Sequence, residues 1–301
     1  RLAARLRAIA DTADWDMEVV LVDDGSQDDS WERIEEIARS WPRARGLRLT
    51  RNFGSQMAIT AGLADARGAA AAVLSADLQE PPELLPGMVA AWRQGATAVL
   101  AVRKSRPEGW TTRAAAGFYY RTLRRLAFEQ MPAGGFDCFL IGRPAIDFLV
   151  ESREIHTSLP GLLLWGGFST ALVPYDRTAR EEGESRWTLG KKLKYFVDAV
   201  VSFSYAPLRW MSFGGALLAA IAFAYAVFLV VYKLLHGQSI AGWTSLMVAV
   251  AFFSGVQLLC VGILGEYLWR TLDAARARKG FLVRDRTVEG ARDRTGAGPT
   301  P

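Results

Sequence analysis

Two apolar runs end in carboxylates. Glu18-Val-Val-Leu-Val22 passes into Asp23-Asp24-Gly25-Ser26-Gln27-Asp28, and Ala69 to Leu74 passes into Ser75-Ala76-Asp77-Leu78-Gln79-Glu80-Pro81-Pro82-Glu83. Carboxylates at the end of a buried strand can accept hydrogen bonds from a nucleotide base or ribose. An Asx-rich turn that caps a helix has the same appearance, so the residues of the first motif leave both readings open. In the second motif a carboxylate just past a strand, with the amide oxygen of Gln79 two residues on, suits an octahedral, oxygen-ligated Mg2+ or Mn2+ that also holds a diphosphate. A lone Asp at that place is also compatible with a structural turn.

Two further segments bear on phosphate. Arg51-Asn52-Phe53-Gly54-Ser55-Gln56 opens a helical pattern and offers a cation and backbone N–H groups near a helix N-terminus, where phosphates bind readily. A plain N-cap reads the same way. Glu182-Gly-Glu-Ser185-Arg186-Trp187, with Lys191 close behind, is a Ser/Arg/Trp segment that could close over phosphates or stand as a solvated charged loop.

The elements that would position these residues alternate. Strands are expected at Glu18–Val22, Gly46–Thr50, Ala69–Leu74 and Ala96–Val102, with helices at Ser30–Trp41, Gln56–Arg67 and Pro82–Gln94 between them. Such alternation implies an α/β domain with a mostly parallel sheet, whose ligands sit at the carboxyl ends of the strands. Asp23, Asp24 and Asp77 fall at such ends. Beyond residue 102 a helical pattern runs from Arg113 to Gln130. A strand enters through Gly134-Gly135 and carries Asp137, and a short helix is expected at Pro144–Val150. Leu159–Trp165 is an apolar stretch for either the membrane or the interior, and Ser169–Tyr175 is a last strand.

The 301 residues are half hydrophobic, and the apolar ones concentrate late. Met211–Tyr232 and Ile240–Gly265 contain no charged residue, and each is long enough to cross a hydrocarbon core of about 20 apolar residues. Lys191–Phe203 alternates basic and apolar positions at helical spacing, as an interfacial amphipathic helix does. Net charge is +5, with basic residues flanking the apolar region, which fits a membrane surface and argues against nucleic acid. Lys191, Lys192, Lys194 and Arg209 precede the first span and Arg270, Arg276, Arg278 and Lys279 follow the second. The positive-inside rule therefore puts both ends in the cytoplasm, with the Lys233–Ser239 connector outside. The resulting division is an α/β domain over 1–190, an interfacial helix over 191–209, a transmembrane hairpin over 210–272 and a partly disordered cytoplasmic tail over 273–301. Cys138 and Cys260 have no zinc or disulfide spacing.

In combination the motifs are not generic. Val22-Asp-Asp-Gly-Ser, Arg51-Asn-Phe-Gly, Ala76-Asp-Leu-Gln-x-Pro-Pro-Glu, Val173-Pro-Tyr-x-Arg and Gly183-Glu-Ser-Arg-Trp resemble, in this order, the family 2 glycosyltransferases with a GT-A fold. The sequence is most similar to their polyprenyl-phosphate branch, which includes dolichyl-phosphate mannose synthases and bacterial undecaprenyl-phosphate transferases. The two C-terminal spans and Gly265-Glu-Tyr-Leu-x-Arg270 fit the bacterial members. The resemblance implies a GT-A (Rossmann-like) catalytic domain followed by an interfacial helix and two transmembrane helices. It implies inverting transfer of a sugar from a nucleotide-sugar donor to a polyprenyl phosphate at the cytoplasmic face of the plasma membrane, with Mg2+ or Mn2+ as cofactor and membrane lipid as surroundings. Carried over, Asp24 contacts the base with Asp23 near the same pocket, and Arg51, Asn52 and Gly54 complete the nucleotide site. Asp77 is the main metal ligand and Gln79 a second. Asp137 faces sugar and acceptor, as a base or as a group that orients a sugar hydroxyl. Arg177, Ser185, Arg186 and Lys191 meet donor or acceptor phosphate.

Two departures stand out. Ser75 occupies the first position of the family's Asp-x-Asp, leaving one carboxylate fewer. The family also begins with a strand carrying Pro-x-Tyr-Asn-Glu that this sequence lacks, so a first strand is expected ahead of Arg1. These departures support the alternative of a membrane-anchored scaffold with a degenerate transferase domain. A processive synthase ranks lower, since only Ser185-Arg-Trp and two spans are found. Sugar, nucleotide and prenyl length are not set by the sequence, and homo-oligomerisation stays open.

Overall fold

The computed structural model describes residues 1–103, 131–132, 135–136, 138–152, 154, 158–176, 206–236 and 242–287. The chain divides into two compact units, one formed by Arg1–Ala199 with Arg278–Pro301 and the other by Val200–Ala277.

In the first unit the alternation read from the sequence holds as far as the fourth strand. Helix α1 (Leu2–Thr12) leads to β1 (Val19–Asp23), α2 (Ser30–Ser40), β2 (Ala44–Leu49), α3 (Ser55–Asp65), β3 (Ala70–Val73), α4 (Leu85–Arg93) and β4 (Ala98–Arg103). The helix expected from Pro82 is divided: Pro82–Leu84 forms a 3-10 turn and the α-helix starts at Leu85. Pro86 lacks an N–H to give to a preceding turn and suits the first turn of a helix, so the regular helix begins beside it. The chain continues through β5 (Cys138–Gly142), α5 (Arg143–Glu151), α6 (Leu159–Trp165) and β6 (Thr170–Tyr175).

Strand pairing is mixed, not mostly parallel. β1 runs parallel to β2, and β4 parallel to β6, whereas β5 lies between β3 and β4 antiparallel to both. The reason is where β5 starts. Cys138 pairs with Ala101, near the carboxyl end of β4, so the strand must run back toward the other end. A parallel partner would have required the chain to cross the whole sheet first. All five residues of β5 are buried, as expected of a central strand covered on both faces. Cys138 and Leu140 pack with Met88 of α4, while Ile146, Leu149 and Leu163 of α5 and α6 are each at most 1% exposed in the same domain. Helix α6 answers the choice left open for its apolar run: Leu159, Leu162, Leu163 and Leu164 are buried, and the Ser158 hydroxyl caps the helix by accepting from the Gly161 N–H at 3.2 Å.

The sequence division at residue 190 does not foresee the last strand. β7 (Val283–Arg286) joins the first unit by pairing antiparallel with β2, giving a sheet of order β1-β2-β7. Part of the stretch read as a tail is therefore an edge strand. Val-Arg-Asp-Arg has no apolar alternation to announce it, and edge strands tolerate such charge. Its anchor is ionic: the Arg286 guanidinium donates to Asp65 Oδ1 at 2.9 Å, and Arg45 Nε donates to Asp65 Oδ2 at 2.6 Å.

The second unit consists of α7 (Ala206–His236) and α8 (Trp243–Arg276). Both are long and apolar enough to cross a membrane, over Leu208–Leu235 and Ser245–Arg276. Their side chains point outward: Phe213, Phe223 and Leu258 are each more than 70% exposed. Apolar surface on this scale calls for an apolar solvent, and backbone groups satisfied within each helix are what a bilayer requires. The interfacial helix expected over 191–203 lies outside the described residues.

Candidate active site

Strand β1 delivers Asp23 and Asp24 to a tight loop, and the two carboxylates do different things. Asp23 is 3% exposed; its Oδ1 accepts the Ser26 N–H at 3.0 Å, and Arg48 Nε of β2 stands 3.4 Å from Oδ2. Asp23 therefore holds its own turn. Asp24 reaches across to the segment before α3, where its two oxygens accept the N–H groups of Phe53 at 2.7 Å and Gly54 at 2.9 Å. A carboxylate is thus already placed at the N-terminus of α3, where it is favoured electrostatically. The two N–H groups that made this loop a phosphate candidate are spent on Asp24.

The loops touch because of Gly25. Its φ is +70°, and a Cβ there would stand 2.5 Å from the carbonyl carbon of Arg51 and 2.8 Å from the Asn52 nitrogen. No side chain fits, and the neighbours are backbone, which cannot swing aside. Gly25→Ala should therefore separate the loops, lowering stability by about 1–3 kcal/mol and raising the donor KM. Thermal melting and donor titration of the variant check this, and a variant that melts and binds like its parent would show that the loops have room.

Arg51 and Asn52 are exposed on this same corner. The Arg51 guanidinium lies 4.0 Å from the centre of the Phe53 ring and donates to the Asn52 carbonyl at 3.1 Å. A cation held flat on an aromatic ring is fixed in position while still facing solvent. The structure thus gathers Asp23, Asp24, Arg51, Asn52 and Gly54 at one corner. Three of the five orient the loops, and Arg51 and Asn52 present polar groups outward. Sequence reasoning missed Gly25 and Arg48 as parts of this corner. Glycine after paired Asp was a signal for the first, and nothing in the sequence marks the second.

The other site lies beyond β3. Asp77 is half-buried, and its Oδ1 accepts the Gln79 N–H at 3.2 Å. Between them Leu78 takes φ +57° with its side chain buried, a conformation that costs energy for a branched residue. This strained turn draws Gln79, 9% exposed, into the domain. Asp77 and Gln79 are hard oxygen donors. Among the described residues no group of three or more His, Cys, Asp or Glu could hold a metal alone. This donor set fits an ion that protein and diphosphate share, because Mg2+ is commonly bound by one or two carboxylates together with phosphate oxygens. Asp137, Arg177, Ser185, Arg186 and Lys191 lie outside the described residues.

The model for glycosyl transferase family 2 matches residues 1–149, from α1 through both loops to α5. An uncharacterized glycosyltransferase of Bacillus subtilis, YkcC, is 36% identical over 280 residues, covering 93% of this chain and 87% of the relative. The chain belongs to glycosyl transferase family 2. Two other members are similar over comparable lengths. The bactoprenol glucosyl transferase of Shigella phage SfX is 31% identical over 282 residues, 93% of this chain and 92% of its own. The prophage bactoprenol glucosyl transferase homolog of Escherichia coli K12 is 30% identical over 280 residues, 93% of this chain and 92% of its own. Matches of this extent necessarily include both α7 and α8. Family membership makes the two loops described above parts of a sugar-transferring domain.

Proposed function

We propose that the protein transfers a sugar from a nucleotide-sugar to a polyprenyl phosphate at the cytoplasmic face of the membrane, with inversion at the anomeric carbon. The observation that carries this reading is the similarity to bactoprenol glucosyl transferases over more than nine-tenths of both chains, apolar helices included. A scaffold with a degenerate domain would not need to keep Asp77, Gln79 and the loop contacts of Asp24 together, so the scaffold alternative is not favoured.

The chain's own residues divide the work. Asp24 and Gly25 lock the two loops of the nucleotide corner, and Arg51 and Asn52 present polar groups to the donor. Asp77 and Gln79 would hold Mg2+ or Mn2+, which when bound neutralises charge on the departing nucleoside diphosphate. The acceptor phosphate is an anion at neutral pH, so it attacks without a strong general base. Asp137 is then better used to orient a sugar hydroxyl than to remove a proton. The decisive experiment incubates the full-length protein with a polyprenyl phosphate, divalent metal and a panel of nucleotide-sugars, and reads the mass of the lipid. A sugar-phosphate lipid from one donor is expected, and absence of lipid product across the panel overturns the reading.

Topology follows the same proposal. β7 pairs with β2 in the unit that the chain leaves before α7. Two crossings joined by a short connector return the chain to the side it left, and the basic flanks favour the cytoplasm for that side. In intact cells Ser239→Cys should therefore react with an impermeant thiol reagent while the parent does not. Labelling that appears only after the membrane is broken reverses the orientation.

A further inference from the structure

The strained turn that carries Asp77 and Gln79 brings in a third oxygen donor. Glu80 is 2% exposed, and its Oε2 is buried without a hydrogen-bond partner among the described residues. Removing a carboxylate oxygen from water with nothing to receive it costs several kcal/mol, so such a group calls for a compensating ligand. Its position in the fold suggests which. Cys138 opens β5 opposite Ala101 of β4, and Phe139 lies opposite Val73, the last residue of β3, so Cys138 marks the end of the sheet from which the Asp77 turn departs. Burial, and then the negative charge of Glu80, push the Cys138 thiol up to about 12. Glu80 directly follows Gln79 in the turn that leaves this end of the sheet. Ser75, two residues before Asp77, is exposed and carries no charge.

We infer that Glu80 supplies the second carboxylate of the divalent-cation site, as a ligand or across a bound water, in place of the carboxylate that Ser75 does not provide. The inference rests on the proposed assignment of Asp77 and Gln79 to the cation. Two carboxylates and an amide oxygen form a hard donor set suited to Mg2+ or Mn2+ shared with a diphosphate. The cation, directly or through that water, in turn supplies the partner that the buried Oε2 lacks. Glu80 need not touch the sugar or the acceptor for this role.

The test measures Mn2+ binding without turnover. Full-length protein in detergent is titrated with Mn2+ in the presence of UDP or GDP, free Mn2+ is read by its paramagnetic resonance signal, and melting temperature is recorded for each variant. Glu80→Gln keeps the shape and removes the charge. It should weaken Mn2+ binding by roughly 10- to 100-fold, the range seen when a group supporting a metal site is lost. Ser75→Asp should gain more Mn2+ affinity when added to Glu80→Gln than when added to the parent, an interaction that independent sites would not show. Should Glu80→Gln not fold, Glu80→Asp, which draws the carboxylate back by one methylene, must weaken Mn2+ as well. Unchanged Mn2+ affinity in either Glu80 variant, with affinity lost in Asp77→Asn, overturns the role of Glu80 and leaves the assignment of Asp77 standing. A parent that binds no Mn2+ with either nucleotide overturns both.

Discussion

Asp77→Asn should lower the rate of sugar transfer by roughly 30- to 1000-fold, on the order of 2–4 kcal/mol in the barrier. The change keeps size and shape, and the amide oxygen can still accept the Gln79 N–H that Asp77 Oδ1 accepts at 3.2 Å. What it removes is the formal charge. In glycosyl transfer negative charge gathers on two phosphates as the bond to the sugar breaks, and the proposed divalent ion needs an anionic protein ligand to stay there. The effect should lie mainly in kcat, with a weaker apparent affinity for Mn2+, and excess chelator should stop the parent enzyme. Ser75→Ala should cost far less, since a neutral hydroxyl is a weak ligand, and Ser75→Asp should tighten the metal. Steady-state rates with saturating donor and titrated Mn2+ check this. A parent that keeps its rate in chelator, or an Asp77→Asn enzyme as fast as the parent, removes the metal from the mechanism.

The position of Asp77 just beyond β3 was legible in the sequence because an apolar run followed by a carboxylate marks the carboxyl end of a strand. The same signal located Asp23 and Asp24 but not what they do. Asp24 accepts N–H groups 29 and 30 residues further along the chain, and no local pattern encodes a contact at that separation. Gly25 is similar: its spelling suggests a turn, but the reason it must be glycine is the backbone of Arg51 at 2.5 Å from a would-be Cβ. Glu80 reads in sequence as one more surface acid of a Glu-Pro-Pro-Glu run. Its burial, two residues after the positive φ of Leu78, is visible only in the folded turn. The helices were the most legible elements, including α7 and α8, because periodicity and length suffice for them. β5 and β7 were the least legible in direction and existence. An antiparallel return and a charged edge strand both depend on what the neighbouring strands leave unpaired.

Arg45→Ala should destabilise the catalytic unit by about 3–5 kcal/mol, the cost of stranding buried partners of an ion network. Arg45 of β2 is only 12% exposed at its side chain and Asp65 at the end of α3 only 13%. Arg45 donates to Asp65 Oδ2 at 2.6 Å, and also to Glu18 Oε2 and to the Asp65 carbonyl. Glu18 in turn accepts the N–H groups of Arg67 at 2.6 Å and Gly68 at 3.0 Å, while Arg286 of β7 holds the other Asp65 oxygen at 2.9 Å. One guanidinium thus joins the start of β1, the end of α3 and, through Asp65, the edge strand contributed by the C-terminal segment. Without it two carboxylates face a partly dry site, Asp65 with Arg286 alone as counter-charge and Glu18 with only the N–H groups of Arg67 and Gly68. For a domain of this size the loss corresponds to a Tm lower by roughly 6–20 °C. Arg45→Lys should recover only part of it, because an ammonium cannot serve three acceptors in a plane. The pH dependence should change too. Burial pushes the Glu18 carboxyl up, but the Arg45 guanidinium and the N–H groups of Arg67 and Gly68 outweigh it and hold the carboxyl below its ordinary value of 4.5. A depressed folded value means that the stabilisation is present above that ordinary value and is lost as pH falls through the folded one. The parent should therefore lose stability in acid below about pH 4.5, and Arg45→Ala should lose less over the same interval because its Glu18 has less to give up. Melting followed by tryptophan fluorescence in detergent, from neutral pH down through this range, measures both effects. An Arg45→Ala protein that melts within a degree or two of its parent, with the same acid slope, would show that the network is surface decoration and that β7 is held by its backbone hydrogen bonds alone.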